Sequence, residues 1–260
     1  MILQEVIRIL EEQSPVSYAL DWDNVGLLAG DCNKEIKKIY IALDATDEAI
    51  EEAVEAGADL LLTHHPLIFK GIRRVTADDF IGRRLIRLIS NDIAYYAMHT
   101  NFDVKGMADL AAAMLGLERY EVLDVTAFSD GREEGIGRAG DLMEPMTLEC
   151  CAAFVKAAFS LQHVKVFGNK DRMIRKAAVA PGSGKSEIGN AIARQADVLI
   201  TGDIDHHDGI DAVARGLCII DAGHYGLEHI FVRYMKEYLE KRCGELEVAA
   251  QEAAFPYSIM

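Results

Sequence analysis

The strongest constraint on how this chain folds is an echo within it. Shifted by 138 residues, Ala58-Asp59-Leu60-Leu61-Leu62-Thr63 falls on Ala196-Asp197-Val198-Leu199-Ile200-Thr201. Without a gap, Ala42, Ile50 and Ala53 fall on Ala180, Ile188 and Ala191. Self-similarity at a fixed shift marks a duplicated supersecondary unit. Each copy reads as strand, turn, helix and a short apolar strand ending in threonine. The chain is therefore expected to be α/β, built from two similar halves.

In chain order, Ile2, Val6, Ile7 and Leu10 sit at helical spacing over residues 2–13, and Pro15 ends that helix. Trp22-Asp23-Asn24-Val25-Gly26-Leu27-Leu28-Ala29-Gly30 reads as a specific turn. A strand over 38–43 leads to a helix over 46–57, with Asp44 and Thr46 as capping candidates. A helix over 78–91, a strand over 93–98 and a helix over 107–115 follow, the last closed by Gly116. Residues 126–150 mark a change of register, with Gly131, Gly135, Gly137 and Gly140 around Arg132 and Arg138, and within them Gly135-Ile136-Gly137-Arg138 reads as an ordered connection into a second domain. Beyond it come a helix over 146–159, strands near 164–167 and 176–180, the echoed strand, a strand over 217–220 and a helix to about 242. This divides the chain into a first repeat, 1–125, and a second, 126–260, whose C-terminal segment packs back on the first.

Each half ends its strands in polar clusters. Leu60-Leu61-Leu62 stops at Thr63-His64-His65-Pro66, and proline cannot continue a ladder. The next strand ends at His99-Thr100-Asn101-Phe102-Asp103. In the second half the clusters are Gly202-Asp203-Ile204-Asp205-His206-His207 and Asp221-Ala222-Gly223-His224-Tyr225-Gly226-Leu227-Glu228. Ligands of open α/β sheets bind at such strand ends. His224 and Glu228, four residues apart on a helix, face the same way. We read His64, His65, Asp103, His224 and Glu228 as metal ligands. Imidazole and carboxylate without thiolate suit zinc, manganese, iron or cobalt. Five ligands exceed what one open catalytic zinc takes, which favours two divalent metal ions per chain and a water made more acidic by them. Asp103 or Glu228 is the candidate bridge. His99 and His207 are the candidates for moving protons, with His206 a further supporting residue. A lone histidine at a strand end more often satisfies buried backbone groups; it is the repetition that points to metal. His163 and His229 have no such context.

Pro181-Gly182-Ser183-Gly184-Lys185-Ser186 looks like a nucleotide-binding loop but has Val179 where that loop needs glycine. It reads as a glycine-rich helix start. The net charge of −15 argues against a nucleic-acid partner, and Arg83, Arg84 and Arg87 read as a solvated helix face. Five cysteines, an odd number without a C-x-x-C pair, suit a reducing compartment. No apolar run approaches membrane-spanning length, and no basic leader precedes the first helix. A cytoplasmic setting is expected.

On these residues the chain resembles the family named after NGG-one-interacting factor three, also described as GTP cyclohydrolase 1 type 2 homologues. The resemblance runs through Trp22-Asp23-Asn24-Val25-Gly26-Leu27, Thr63-His64-His65-Pro66, His99 to Asp103, Gly135-Ile136-Gly137-Arg138, Thr201-Gly202-Asp203 with His206-His207, and Gly223 to Glu228. It implies two similar, intertwined α/β domains with mixed sheets and a dinuclear metal centre between them. It also implies a ring-shaped homohexamer and the same five ligands, in the compact form without an inserted middle domain. The expected function is a metal-dependent hydrolase acting on a small molecule, a nucleotide or other phosphoester, with GTP cyclohydrolase-type chemistry among the options. The alternative is a non-catalytic metal-binding regulatory or chaperone-like protein.

Overall fold

A computed structural model describes residues 1–129 and 131–260. The chain forms two compact units, 1–102 with 231–253, and 103–230 with 254–260. It therefore passes between them at 102/103, 230/231 and 253/254, which is what makes the two units intertwined.

The first unit holds strands β1 (Gly26–Ala29), β2 (Lys38–Ala42), β3 (Leu60–Thr63) and β4 (Ala94–Ala97). The second holds β5 (Glu118–Ser129), β6 (Arg132–Thr147), β7 (Lys165–Phe167), β8 (Met173–Ser183), β9 (Val198–Gly202) and β10 (Cys218–Asp221). Strand β11 (Glu247–Ala250) belongs to the first unit. The two sheets run β1-β4-β3-β2-β11 and β5-β6-β8-β9-β10-β7. Both are mixed: β4, β3 and β2 are parallel with β1 antiparallel at the edge, and β10, β9 and β8 are parallel with β7 antiparallel.

The echo in the sequence is an echo in register. Ile39 pairs with Leu60 and Ile41 with Leu62; 138 residues on, Ala177 pairs with Val198 and Val179 with Ile200. The repeated Ala-Asp has a physical role. Asp59 Oδ2 accepts the Lys37 and Lys38 N–H groups at 2.8 and 2.9 Å, and Asp197 Oδ2 accepts those of Arg175 and Lys176 at 2.8 and 3.1 Å. Each carboxylate takes the two N–H groups just before the parallel pairing begins, at Ile39 in the first copy and Ala177 in the second. The helix between the two strands is Asp47–Glu55 in the first copy, capped by the Thr46 hydroxyl accepting from Ala49 N–H at 3.1 Å. In the second it is a short 3₁₀ turn, Lys185–Glu187, running into Ile188–Ala193.

Each sheet buries its own apolar layer. Leu61, Tyr95, Ile50, Ala53 and Leu88 belong to the first core, and Leu199, Ile219, Ile188, Ala191 and Leu217 to the second. The helix Ile230–Arg242 lies against the N-terminal helix Leu3–Gln13, where the Tyr238 hydroxyl donates to Ile9 O at 3.0 Å and that of Tyr234 to Gln13 at 2.7 Å.

Three features differ from the sequence reading. The stretch 135–138 is not a connection but lies inside a strand: Glu118–Ser129 and Arg132–Thr147 are the two longest strands among the described residues and form an antiparallel ribbon. The glycines are what the ribbon needs. A Cβ on Gly135 would lie 1.9 Å from Asp124 O, and Gly137 has a φ of +68°. Second, the division at 125/126 falls inside β5, and Asp103 groups with the second unit rather than the first. Third, the helix expected over 107–115 is Ala108–Met114, entered through a π-helical turn over Asp103–Met107. On the arginine face Arg83 and Arg87 are exposed, whereas Arg84 is partly buried; Arg84 pairs with Asp47 at 2.8 Å and Arg87 with Glu51 at 2.7 Å. Among the described residues no helix is long and apolar enough to cross a membrane, and all five cysteines are free.

Candidate metal centre

In the first unit, β3 ends at Thr63 and the chain turns. The N–H groups of His64 and His65 both donate to Leu43 O, at 3.2 and 3.0 Å, which turns consecutive imidazoles toward one region. Their ring centroids are 4.8 Å apart. The turn is held by Tyr95, whose hydroxyl accepts from Leu67 N–H at 2.7 Å and donates to His65 O at 3.0 Å. Burial pushes that hydroxyl's pKa up, so it keeps its proton. His99 follows β4, with its ring 5.3 Å from that of His64 and 5.4 Å from that of His65. One nitrogen from each of these three rings lies within 4.8 Å of the others, a grouping that can hold a metal ion.

Each ring is anchored at Nδ1. His64 donates to Met98 O at 2.7 Å, His65 to Asp44 at 2.8 Å and His99 to Asp23 at 2.8 Å. A carbonyl oxygen only accepts, so Nδ1 of His64 carries the proton and Nε2 is the basic nitrogen of the neutral ring. Carboxylates impose the same tautomer on the other two. A histidine that ligates metal through Nε2 is held in this way.

The Asp23 side chain is fully buried and also accepts from the Thr100 N–H and hydroxyl, at 3.0 and 2.6 Å. Burial alone would raise its pKa; the hydrogen bonds from His99 and Thr100 outweigh that and hold the carboxyl at about 2. Because the folded value lies below the ordinary one, this stabilisation is present above about pH 4 and is lost as pH falls toward 2. Acid titration of the unfolding free energy should show a loss of about 2 kcal/mol across that window that is missing in Asp23→Asn.

In the second unit, His224 and Glu228 lie on the single helical stretch His224–Glu228 after β10. His224 Nδ1 donates to Asp203 at 2.8 Å, and His224 Nε2 lies 3.0 Å from Glu228 Oε2. An imidazole flanked at both nitrogens by carboxylates calls for positive charge there, supplied by a proton or a metal ion. Glycines make room for this pair. A Cβ on Gly182, whose φ is +80°, would lie 2.4 Å from Glu228 Oε1, and one on Gly202 would lie 2.4 Å from His224 N. Asp203 takes a φ of 58°, a left-handed conformation that aspartate tolerates better than most residues. A cavity of about 530 Å³ borders His224 and is lined by Asp203, Asp221, Lys165, Tyr225 and Tyr257. Lys165 closes one side through ion pairing with Asp221 at 2.8 Å.

Asp103 opens the π-helical turn of the second unit, a conformation that recurs at functional sites. His206 and His207 are exposed, with ring centroids 5.2 Å apart. Among the described residues no hydrogen bond or ring contact joins His207 to His224 or Glu228. Three residues escaped the sequence reading: Asp23, Asp44 and Asp203. Asp44 passed for a helix cap and Asp23 for a turn residue, because their partners lie 21 and 76 residues away. Substituting Asp44 or Asp203 by alanine should weaken metal binding by about 10- to 100-fold. Competition with a chromogenic chelator measures it.

The model of the family described as Duf34/NIF3 (NGG1p interacting factor 3) matches residues 1–255. The chain belongs to the Duf34/NIF3 family. Among its relatives, a protein of Clostridium perfringens called GTP cyclohydrolase 1 type 2 homolog is 37% identical over 264 aligned positions, covering all of both chains. The crystal structure of a Bacillus cereus protein related to NIF3 superposes with a TM-score of 0.90 at 26% identity, covering 100% of this chain and 99% of that one. The structure titled reduced HcgD from Methanocaldococcus jannaschii gives a TM-score of 0.83 at 34% identity, covering 98% of each. For this Duf34/NIF3 chain, the anchored imidazoles and the His224–Glu228 pair are groups that can take a metal ion.

Proposed function

We propose that this protein is a metal-dependent hydrolase acting on a nucleotide or other phosphoester. His64, His65, Asp103, His224 and Glu228 hold two divalent metal ions per chain, zinc, manganese, iron or cobalt. The observation that carries this reading is the shared anchoring of the rings. His64, His65 and His224 each donate Nδ1–H to an oxygen acceptor, which orients Nε2 as a ligand. Once bound, such ions act as Lewis acids and lower the pKa of water.

The chain's own residues do the rest. His99, paired with the ionised Asp23, takes a proton at Nε2 and returns it to the leaving group, its positive form balanced by the buried carboxylate. His207, exposed beside His206, has no part in this scheme. The cavity bordering His224 gives a substrate room beside a ligand and so favours turnover over the non-catalytic alternative. The proposal extends to a cytoplasmic homohexamer.

The test is a screen of nucleotides and phosphoesters against protein reconstituted with each metal. The names of the curated relatives put GTP first among the substrates. Metal-dependent turnover of one class supports the hydrolase. Tight metal binding with no turnover of any substrate favours the regulatory or chaperone-like alternative.

A further inference from the structure

The Trp22-Asp23-Asn24 turn does more than place His99. Trp22, the single tryptophan of the chain, is 57% exposed, and Phe69 is 46% exposed. Their rings lie 5.6 Å apart, inclined by 47°. Both also face His99, at 6.0 and 6.1 Å. Leaving two large apolar rings in water is unfavourable, yet here they are held in place. Asn24 Nδ2 donates to Ile68 O at 2.6 Å, pinning the residue before Phe69, while Asp23 ties down His99 and Thr100. The chain leaving Phe69 then carries Lys70, Arg73 and Arg74, all exposed. None has an ion-pair partner among the described residues, in a protein of net charge −15.

We propose that Trp22 and Phe69 form a stacking platform beside His99 for the planar heteroaromatic ring of an anionic, nucleotide-like ligand. Lys70, Arg73 and Arg74, on the chain that leaves Phe69, are the cations this assigns to its phosphates. This deepens the hydrolase reading and rests on it: a plain phosphoester would use the cations and leave the rings idle. An electron-rich indole face suits an electron-poor heterocycle, and a rigid platform loses little entropy on binding.

Because Trp22 is the only tryptophan, its emission reports a ligand on the platform. The metal-reconstituted full chain is titrated with GTP, guanosine and ribose 5-phosphate. GTP and guanosine should quench the emission saturably, and ribose 5-phosphate should not. By equilibrium dialysis, Trp22→Ala should weaken GTP and guanosine by about 10- to 100-fold, the scale of one base stacked on an aromatic ring. Trp22→Phe should restore most of the loss. Arg73→Ala with Arg74→Ala should weaken GTP and spare guanosine. Absence of saturable quenching by either base overturns the proposal. So does a loss caused by Tyr257→Ala, in the cavity bordering His224, and not by Trp22→Ala. A change of assembly size in Trp22→Ala with ligand binding intact also overturns it, marking the face as a subunit contact. Metal content and hydrolysis are read on the same samples. Ring binding to protein that holds no metal sinks the hydrolase reading alone, and hydrolysis indifferent to the ring sinks the platform alone.

Discussion

Under the proposed two-metal hydrolase, replacing His64 by alanine should reduce bound metal from about two ions per chain to one or fewer and take hydrolysis to the detection limit. His64 is fully buried, with Phe231 and Phe102 ring centroids at 5.2 and 6.3 Å. Truncation removes a proposed ligand and also opens a cavity, which costs about 2–4 kcal/mol of stability. His65→Ala separates the two effects. His65 is less buried and is not wedged between those phenylalanines, so this variant should stay folded and still lose metal. Elemental analysis and circular dichroism on both variants decide the matter. Full metal content in both would overturn the assignment of ligands, whatever the activity.

The largest stability effect is expected at Arg138. Its guanidinium is 4% exposed and donates to both Asp109 oxygens, at 2.7 and 3.0 Å. It also donates to Gly135 O and Gly137 O at 2.9 and 2.8 Å. It thus ties the β5–β6 ribbon to the helix Ala108–Met114 and hydrogen-bonds two carbonyls at the ribbon's glycines. Arg138→Met keeps the volume and deletes every donor, leaving buried carbonyls unsatisfied. We expect a loss of about 3–5 kcal/mol in urea denaturation. Arg119→Ala is the contrasting case. Arg119 also pairs with a carboxylate, Asp141 at 2.7 Å, but its side chain is 78% exposed, so its removal should cost less than about 1 kcal/mol.

Much of the scaffold could be read before any coordinates. The echo located β2, β3, β8 and β9, because buried parallel strands are short apolar runs and their pairing partners repeat with them. The strand ends carrying His64, His65 and His99 followed from where those runs stop, and the His224–Glu228 pair from helical spacing.

The β5–β6 ribbon was hidden for a physical reason. Glu118–Ser129 is an edge strand with polar residues on both faces, and β6 is interrupted by glycines that allow close approach of backbones but carry no hydrophobic period. Strand β11, four residues long, has no pattern of its own and exists because β2 offers it a free edge. The orienting carboxylates were equally out of reach. Asp23, Asp44 and Asp203 meet their histidines only where separate strand ends come together, across 76, 21 and 21 residues. The sequence by itself therefore determined the duplicated α/β frame and which side chains stand at the strand ends, since both follow from local hydrophobic period and chain order. Only the tertiary structure decided which nitrogen each imidazole presents, and that Trp22 and Phe69 stand together beside His99, because hydrogen bonds and ring contacts between distant segments set both.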